Sequence, residues 1–186
     1  MTTADQASKF QGRSDFVAAL KQVLLQACAE DWPDLYCLDA SFVDWPWSEA
    51  EVLSALKQWA KPTRKLHLLA EQYEDLRRCH PRFVQWRATW GHCVQAQAYG
   101  AEALAAVGPG GPAALFFARK GLAKHASARS AQPLVTELAL CVRLHDKQLW
   151  RGAVSMNAGD ALRSAEYFDA LAQRSCESFA STTLGL

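Results

Sequence analysis

The sequence predicts an α/β fold: one domain with a mixed, partly parallel sheet held between helical layers. Three observations carry that expectation. Over the first hundred residues, stretches of helical periodicity alternate with short apolar runs, in the order helix, strand, helix, strand, helix, strand. Strands separated by helical crossovers pair in parallel through right-handed connections. After Gly108-Pro109-Gly110-Gly111-Pro112 the pattern changes to strands joined by short turns, which is where antiparallel pairing belongs.

The elements follow in order. Residues 1–13 are polar and aperiodic, and read as a loose arm. Phe16, Leu20, Val23, Leu24, Ala27 and Cys28 recur at helical spacing, with Ser14 as the expected N-cap and Trp32-Pro33 as the stop. Leu35 to Leu38 is a buried strand closed by Asp39. Ser48-x-x-Glu51 has the form of a capping box, and Trp47 and Val52 stand at the two positions of a hydrophobic staple. The helix they start carries Val52, Leu53, Leu56, Trp59 and Ala60, and Pro62 lies past its end. Lys65 to Ala70 is the second strand. A helix from Tyr73 to Cys79 meets Pro81, which either kinks it or opens a new helix reaching a C-cap at Gly91. His92 to Tyr99 is the third strand, and residues 101–107 form a short Ala-rich helix. Beyond the Gly-Pro break, Ala113 to Ala118 reads as a strand and 119–133 as a basic loop. Thr136 to Leu144 and Leu149 to Met156 read as two strands joined at His145-Asp146-Lys147-Gln148. Asp160 caps a last helix with Leu162, Ala165, Phe168, Leu171 and Ala172, so the domain spans 14–180 and 181–186 is a frayed tail.

The chain has 186 residues, enough for a core without staples. A formal net charge of +1 gives no global reason for nucleic-acid or anionic-membrane binding. No apolar window reaches membrane-spanning length, so no membrane partner is expected. Six cysteines without CxxC spacing, several inside apolar runs, read as reduced, buried thiols of a cytoplasmic protein. Seven tryptophans are expected mostly in the core or lining a groove.

Chemistry has few places to sit. Parallel α/β sheets place ligands at the carboxyl ends of their strands. Asp39 and Asp44 follow the first strand, with Trp45-Pro46-Trp47 beside them, Glu71 follows the second and Tyr99 the third. Asp39, Asp44, Trp45, Trp47, Glu71 and Tyr99 form the expected pocket; the plainer alternative is loop polarity with tryptophans packed on a helix. His145-x-Lys147 could supply a nucleophile and a phosphate-neutralising ammonium, or could simply close a hairpin. Arg119, Lys120, Lys124, His125 and Arg129 form a cluster with no acidic residue between 119 and 133, suited to an anion or a phosphate backbone, or only to solvent. His67 inside a strand reads as a hydrogen-bonded core residue, and His80 and His92 as helix-end residues. Cys79-His80 and His92-Cys93 lack the anchors of a zinc site, so neither metal nor cofactor is expected. The GxSxG, GxxxxGK[ST] and GxGxxG motifs are absent.

The order strand Leu35–Leu38, helix Ser48–Ala60, strand Lys65–Ala70, helix through His80-Pro81-Arg82-Phe83 and strand His92–Tyr99, followed by His145-x-Lys147, resembles a phospholipase D-like half-domain. More closely, it looks like small bacterial proteins of unknown function that keep this fold without its catalytic motif. The resemblance covers about residues 34–177. It implies a mixed sheet between helical layers and, in active members, two half-domains, often a homodimer, sharing one site built on His-x-Lys-x4-Asp. Here Gly152 stands where the Asp belongs, and no GSxN follows. The expectation is therefore a non-catalytic binding or assembly module for a partner protein or small anionic ligand, as a single chain or a homodimer. The alternatives are a phosphodiesterase using His145 and Lys147 across a dimer, and weak nucleic-acid or anion binding through residues 119–129.

Overall fold

The computed structural model describes residues 7–119 and 139–178. Of the expected elements, the arm before residue 7, most of the basic loop and the tail after residue 178 lie outside that range. Among the described residues, eight strands form one mixed sheet in the order β1-β7-β6-β5-β2-β3-β4-β8. They are β1 (Ser8–Gln11), β2 (Asp34–Asp39), β3 (Lys65–Ala70), β4 (Val94–Ala98), β5 (Ala114–Arg119), β6 (Leu140–Asp146), β7 (Arg151–Ser155) and β8 (Cys176–Glu177). The pairs β2–β3 and β3–β4 are parallel, as crossover helices require, and every other pairing is antiparallel.

Helices cover both faces. On one face lie α1 (Arg13–Ala29), α2 (Ala50–Trp59), α3 (Glu74–Cys79) and α4 (Pro81–Thr89), over Leu35, Cys37, Leu66, Leu68, Phe116 and Val142. On the other, α5 (Ala101–Val107) and α6 (Ala158–Ala172) cover a smaller core of Leu38, Leu69, Leu115, Phe117 and Cys141. Period-two alternation along β2, β3, β5 and β6 sends neighbouring residues to opposite layers, and so these strands read as continuous apolar runs. None of the helices among the described residues is long and apolar enough to cross a membrane.

Several boundaries differ from expectation for identifiable reasons. Ser8–Gln11 belongs to the sheet: Phe10 pairs with Gly152 and packs its ring near Phe16, 5.9 Å between centroids. The helix α1 begins at Arg13 behind Gly12, with no side-chain cap from Ser14. The capping box does not form. Helix α2 begins at Ala50, the Ser48 hydroxyl is buried without a partner among the described residues, and Glu51 reaches Lys21 Nζ at 2.7 Å instead. The two staple residues, Trp47 and Val52, are nevertheless both buried in one core. Pro81 opens a new helix at its first turn, where its missing N–H has no partner to lose. A single 3-10 turn, Gly91–Cys93, delays the third strand to Val94. The β6–β7 turn sits at 147–150, closed by Asp146 Oδ1, which accepts from the Gln148 and Leu149 amides at 2.8 and 3.0 Å. The cap of α6 is Asn157, whose side chain accepts from the Gly159 amide at 2.7 Å, and not Asp160. Leu162, read as apolar face, is 60% exposed.

Candidate functional site

The chain leaves β2 and β3 toward the α1–α4 face but leaves β4 toward the α5–α6 face. Strand β5 starts opposite the end of β2, Ala114 beside Asp39. The segments after β2 and before β5 therefore diverge at the carboxyl edge, and a crevice opens there by topology. Strand β6 ends at the same edge, Leu144 beside Ala114.

On the α1 side of this edge sits a charged knot. Asp39 is only 1% exposed and takes three N–H donors: the Ser41 and Phe42 amides, both at 3.0 Å, and Trp45 Nε1 at 3.2 Å. Phe42 holds φ at +58°, a conformation that costs a non-glycine residue about 1–2 kcal/mol. Lys147 Nζ lies 3.5 Å from Asp39 Oδ1 and 3.6 Å from Asp44 Oδ2, and 5.9 Å from the Trp150 ring centroid. Arg13 Nε donates to Asp44 at 2.7 Å. A buried carboxylate with this many donors is satisfied, so the knot fixes the edge and fastens the β6–β7 turn to β2.

Of the expected pocket, Asp39 and Asp44 do meet, but with Lys147 rather than with open space. Trp45 and Trp47 are not surface: they are 2% and 0% exposed. They stack at 5.3 Å between centroids, and Trp47 continues onto Phe83 at 4.7 Å. Burial keeps them from forming the contact surface their sequence position suggested. Glu71 is exposed. Tyr99 is buried; desolvation, with the Glu71 and Asp39 carboxylates behind it, raises its phenol and keeps it protonated. His67 Nε2 donates to Asp34 Oδ1, 3.3 Å away, and the ring stacks on Tyr36 at 4.3 Å.

His145 and Lys147 do not converge. Lys147 serves Asp39 and Asp44, whereas His145 feels Arg143 and Asp160 on the α6 side; desolvation, then the Arg143 charge, lower its pKa. No side chain fits at Gly152 in this packing. A Cβ there would stand 2.3 Å from the Arg143 carbonyl oxygen and 2.3 Å from Phe10 Cζ. Of the basic cluster, Arg119 ends β5, and Lys120, Lys124, His125 and Arg129 lie outside the described residues.

The α6 side of the edge holds what the sequence reading missed. Beneath the Gly108–Pro112 loop is a cavity of about 200 Å³ lined by that loop, Arg143, Arg163, Ser164 and Tyr167. Arg143 comes from β6; the other three come from two adjoining turns of α6. Asp160 sets the arginines: Oδ1 accepts from Arg163 Nη2 at 2.6 Å and lies 3.9 Å from Arg143 Nη1, while Ser155 Oγ donates to Oδ2 at 2.6 Å. The Ser155 hydrogen bond, then Arg163, hold the Asp160 carboxyl below its ordinary pKa. Arg143 Nε is buried without a partner among the described residues. Ser164 Oγ donates to the Asp160 carbonyl at 2.7 Å. Burial raises the Tyr167 phenol, so it remains a neutral donor. Gly111 lets the loop close: a Cβ there would meet the Tyr167 hydroxyl at 2.0 Å. Two guanidiniums against one carboxylate leave the walls with an excess of one positive charge. The sequence carried a signal for this, since 160, 163/164 and 167 share one helix face. No three His, Cys, Asp or Glu side chains among the described residues gather as a metal-ligand set. Comparison with known protein families, with curated proteins and with solved structures found no match.

Proposed function

We propose that this chain is a non-catalytic binding module that takes a small anion, of the phosphate or carboxylate class, in the cavity beneath the Gly108–Pro112 loop. The observation that carries this is the convergence of Arg143 and Arg163 with the Tyr167 hydroxyl on one cavity. Planar guanidiniums recognise oxyanions through paired N–H donors, and a neutral phenol adds a third. The volume suits the anionic group alone or the anionic end of a larger molecule; drug-sized ligands need roughly 300–1,000 Å³. The phosphodiesterase alternative draws no support from His145 and Lys147, which face different neighbours. A degenerate phospholipase D-like origin stays part of the proposal, resting on the strand–helix order and the His145-x-Lys147 remnant.

Titration calorimetry with inorganic phosphate at constant ionic strength tests the reading. Arg143→Gln and Arg163→Gln should each weaken saturable binding by about tenfold to a hundredfold, since a charged hydrogen bond contributes about 1.5–3 kcal/mol. A generic phosphodiester should turn over neither with the native protein nor with His145→Ala. Absence of saturable phosphate and carboxylate binding, or binding by both arginine variants as tight as that of the native protein, refutes the proposal. Turnover lost in His145→Ala would restore the enzyme alternative.

A further inference from the structure

The arginine cavity does not stand alone on its face of the sheet. In β1 and β7, Phe10, Gly152 and Val154 point to the α1–α4 layer, where Phe10 and Val154 pack on its core. Period-two alternation therefore sends Lys9, Gln11, Arg151 and Ala153 to the α6 face. Helix α6 packs across β5 and β6. Beyond it, Lys9, Gln11 and Arg151 are exposed and Ala153 is half-buried. The register carries the cavity outward: Ala153 faces Arg143 on β6 and Lys9 on β1, so the three form one row across three strands. At the spacing of neighbouring strands, Lys9 stands about 10 Å from Arg143, Cα to Cα. Arg151, two residues along β7 from Ala153, is a diagonal neighbour of Arg143 at about 7–8 Å.

The charges along this row are unequal. Arg143 and Arg163 both reach Asp160. Asp146, the register partner of Arg151, turns its Oδ1 to the Gln148 and Leu149 amides. Among the described residues, Lys9 and Arg151 have no ion-pair partner. Two exposed cations without counter-charges thus stand beside a cavity that already gathers two guanidiniums. The short Ala153 side chain leaves a floor between them. None of the four outward residues is aromatic, so the face lacks the stacking surface that a nucleic-acid strand uses. We propose, resting on the anion reading of the arginine cavity, that its ligand is a small organic bisphosphate. One phosphate sits between Arg143 and Arg163, the second on Arg151 and Lys9, and the carbon skeleton lies over Ala153.

Calorimetry on the full chain at constant ionic strength compares inorganic phosphate, fructose 6-phosphate and fructose 1,6-bisphosphate. The bisphosphate is expected to bind about tenfold or more tighter than the sugar monophosphate, because the second phosphate adds charged hydrogen bonds. Lys9→Gln and Arg151→Gln should each lower that ratio several-fold, and the double variant should bring it close to unity; urea unfolding confirms that these surface variants are folded. Equal binding of the two sugar phosphates overturns this inference and leaves the cavity reading standing. A ratio unchanged in the double variant also overturns it. So does tighter binding of a 5′-phosphorylated oligothymidylate than of the bisphosphate, which would make the ligand a nucleic-acid strand. Failure of inorganic phosphate and both sugar phosphates to bind removes the cavity reading and this inference with it.

Discussion

Gly152→Ala is a small change with a large expected effect. Gly152 sits between Phe10 of β1 and Leu144 of β6. An added Cβ would lie 2.3 Å from the Arg143 carbonyl oxygen and 2.3 and 2.8 Å from two Phe10 ring carbons. The ring can swing out, but the carbonyl belongs to a central strand and cannot. Overpacking of this kind costs about 1–3 kcal/mol. Expelling the partly buried Phe10 ring from its contact with Phe16 adds about 1 kcal/mol. A total of about 2–4 kcal/mol corresponds to a midpoint lower by roughly 4–16 °C for a chain of this size. Urea unfolding followed by tryptophan fluorescence measures it. In a Phe10→Ala background the ring contribution disappears, so the two substitutions should couple favourably by about 1 kcal/mol or more. A Gly152→Ala protein within about 0.5 kcal/mol of native would refute the packing of β1 on β7. Gly152→Asp, which completes His-x-Lys-x4-Asp in sequence, should destabilise more than alanine and yield no phosphodiesterase.

Three further outcomes follow from the same contacts. Asp39→Asn keeps an oxygen for the Ser41 and Phe42 amides but then presents an amide N–H to the Trp45 N–H and removes the negative charge facing Lys147; a loss of about 1–3 kcal/mol is expected in urea unfolding, and none would mean the knot is not structural. His67 has a lowered pKa because burial outweighs the attraction of Asp34. Its unfolded form therefore binds a proton first, and stability should fall as pH drops below about 6.5. His67→Gln should flatten that part of the stability–pH curve, and an unchanged slope would assign the effect elsewhere. Burial pushes the Cys28 thiol up to about 12 and the Cys141 thiol up to about 11, whereas Cys79 and Cys176 are exposed. Brief iodoacetamide treatment of the native protein, read by peptide mass spectrometry, should label Cys79 and Cys176 first; early labelling of Cys28 or Cys141 would contradict their burial.

What the sequence revealed tracks how local each determinant is. The apolar runs of β2 and β3 and the crossovers between them were legible because periodicity is set within ten residues. Pro81 announced its helix start for the same reason. Strand β1 was not legible: Ser8-Lys9-Phe10-Gln11 is too short and polar, and its only reason to be a strand is β7, far along the chain. The Ser48 box failed because Lys21, from another helix, competes for Glu51. The arginine cavity was missed for two reasons. Arg143 stands inside an apolar run and was absorbed into a strand, and the apolar stripe of α6 drew attention from the polar stripe of Asp160, Arg163, Ser164 and Tyr167 beside it. Only the pairing of β6 with β5, and the return of the Gly108–Pro112 segment over it, bring them together.

The place of β1 at the sheet's far edge bears on how the protein is made. Its hydrogen-bonding partner, residues 151–154, leaves the ribosome long after Ser8–Gln11 has done so. During that interval Phe10 has no groove to occupy, and the β7 edge does not yet exist to receive it. The α1–α4 layer and the parallel strands can assemble in the meantime from contacts close in sequence, so closure of the β1–β7 edge waits until residues 151–154 are made. The early N-terminal strand thus acts as a clasp fastened only when synthesis has passed β7, and premature release of a nascent chain would leave that clasp open.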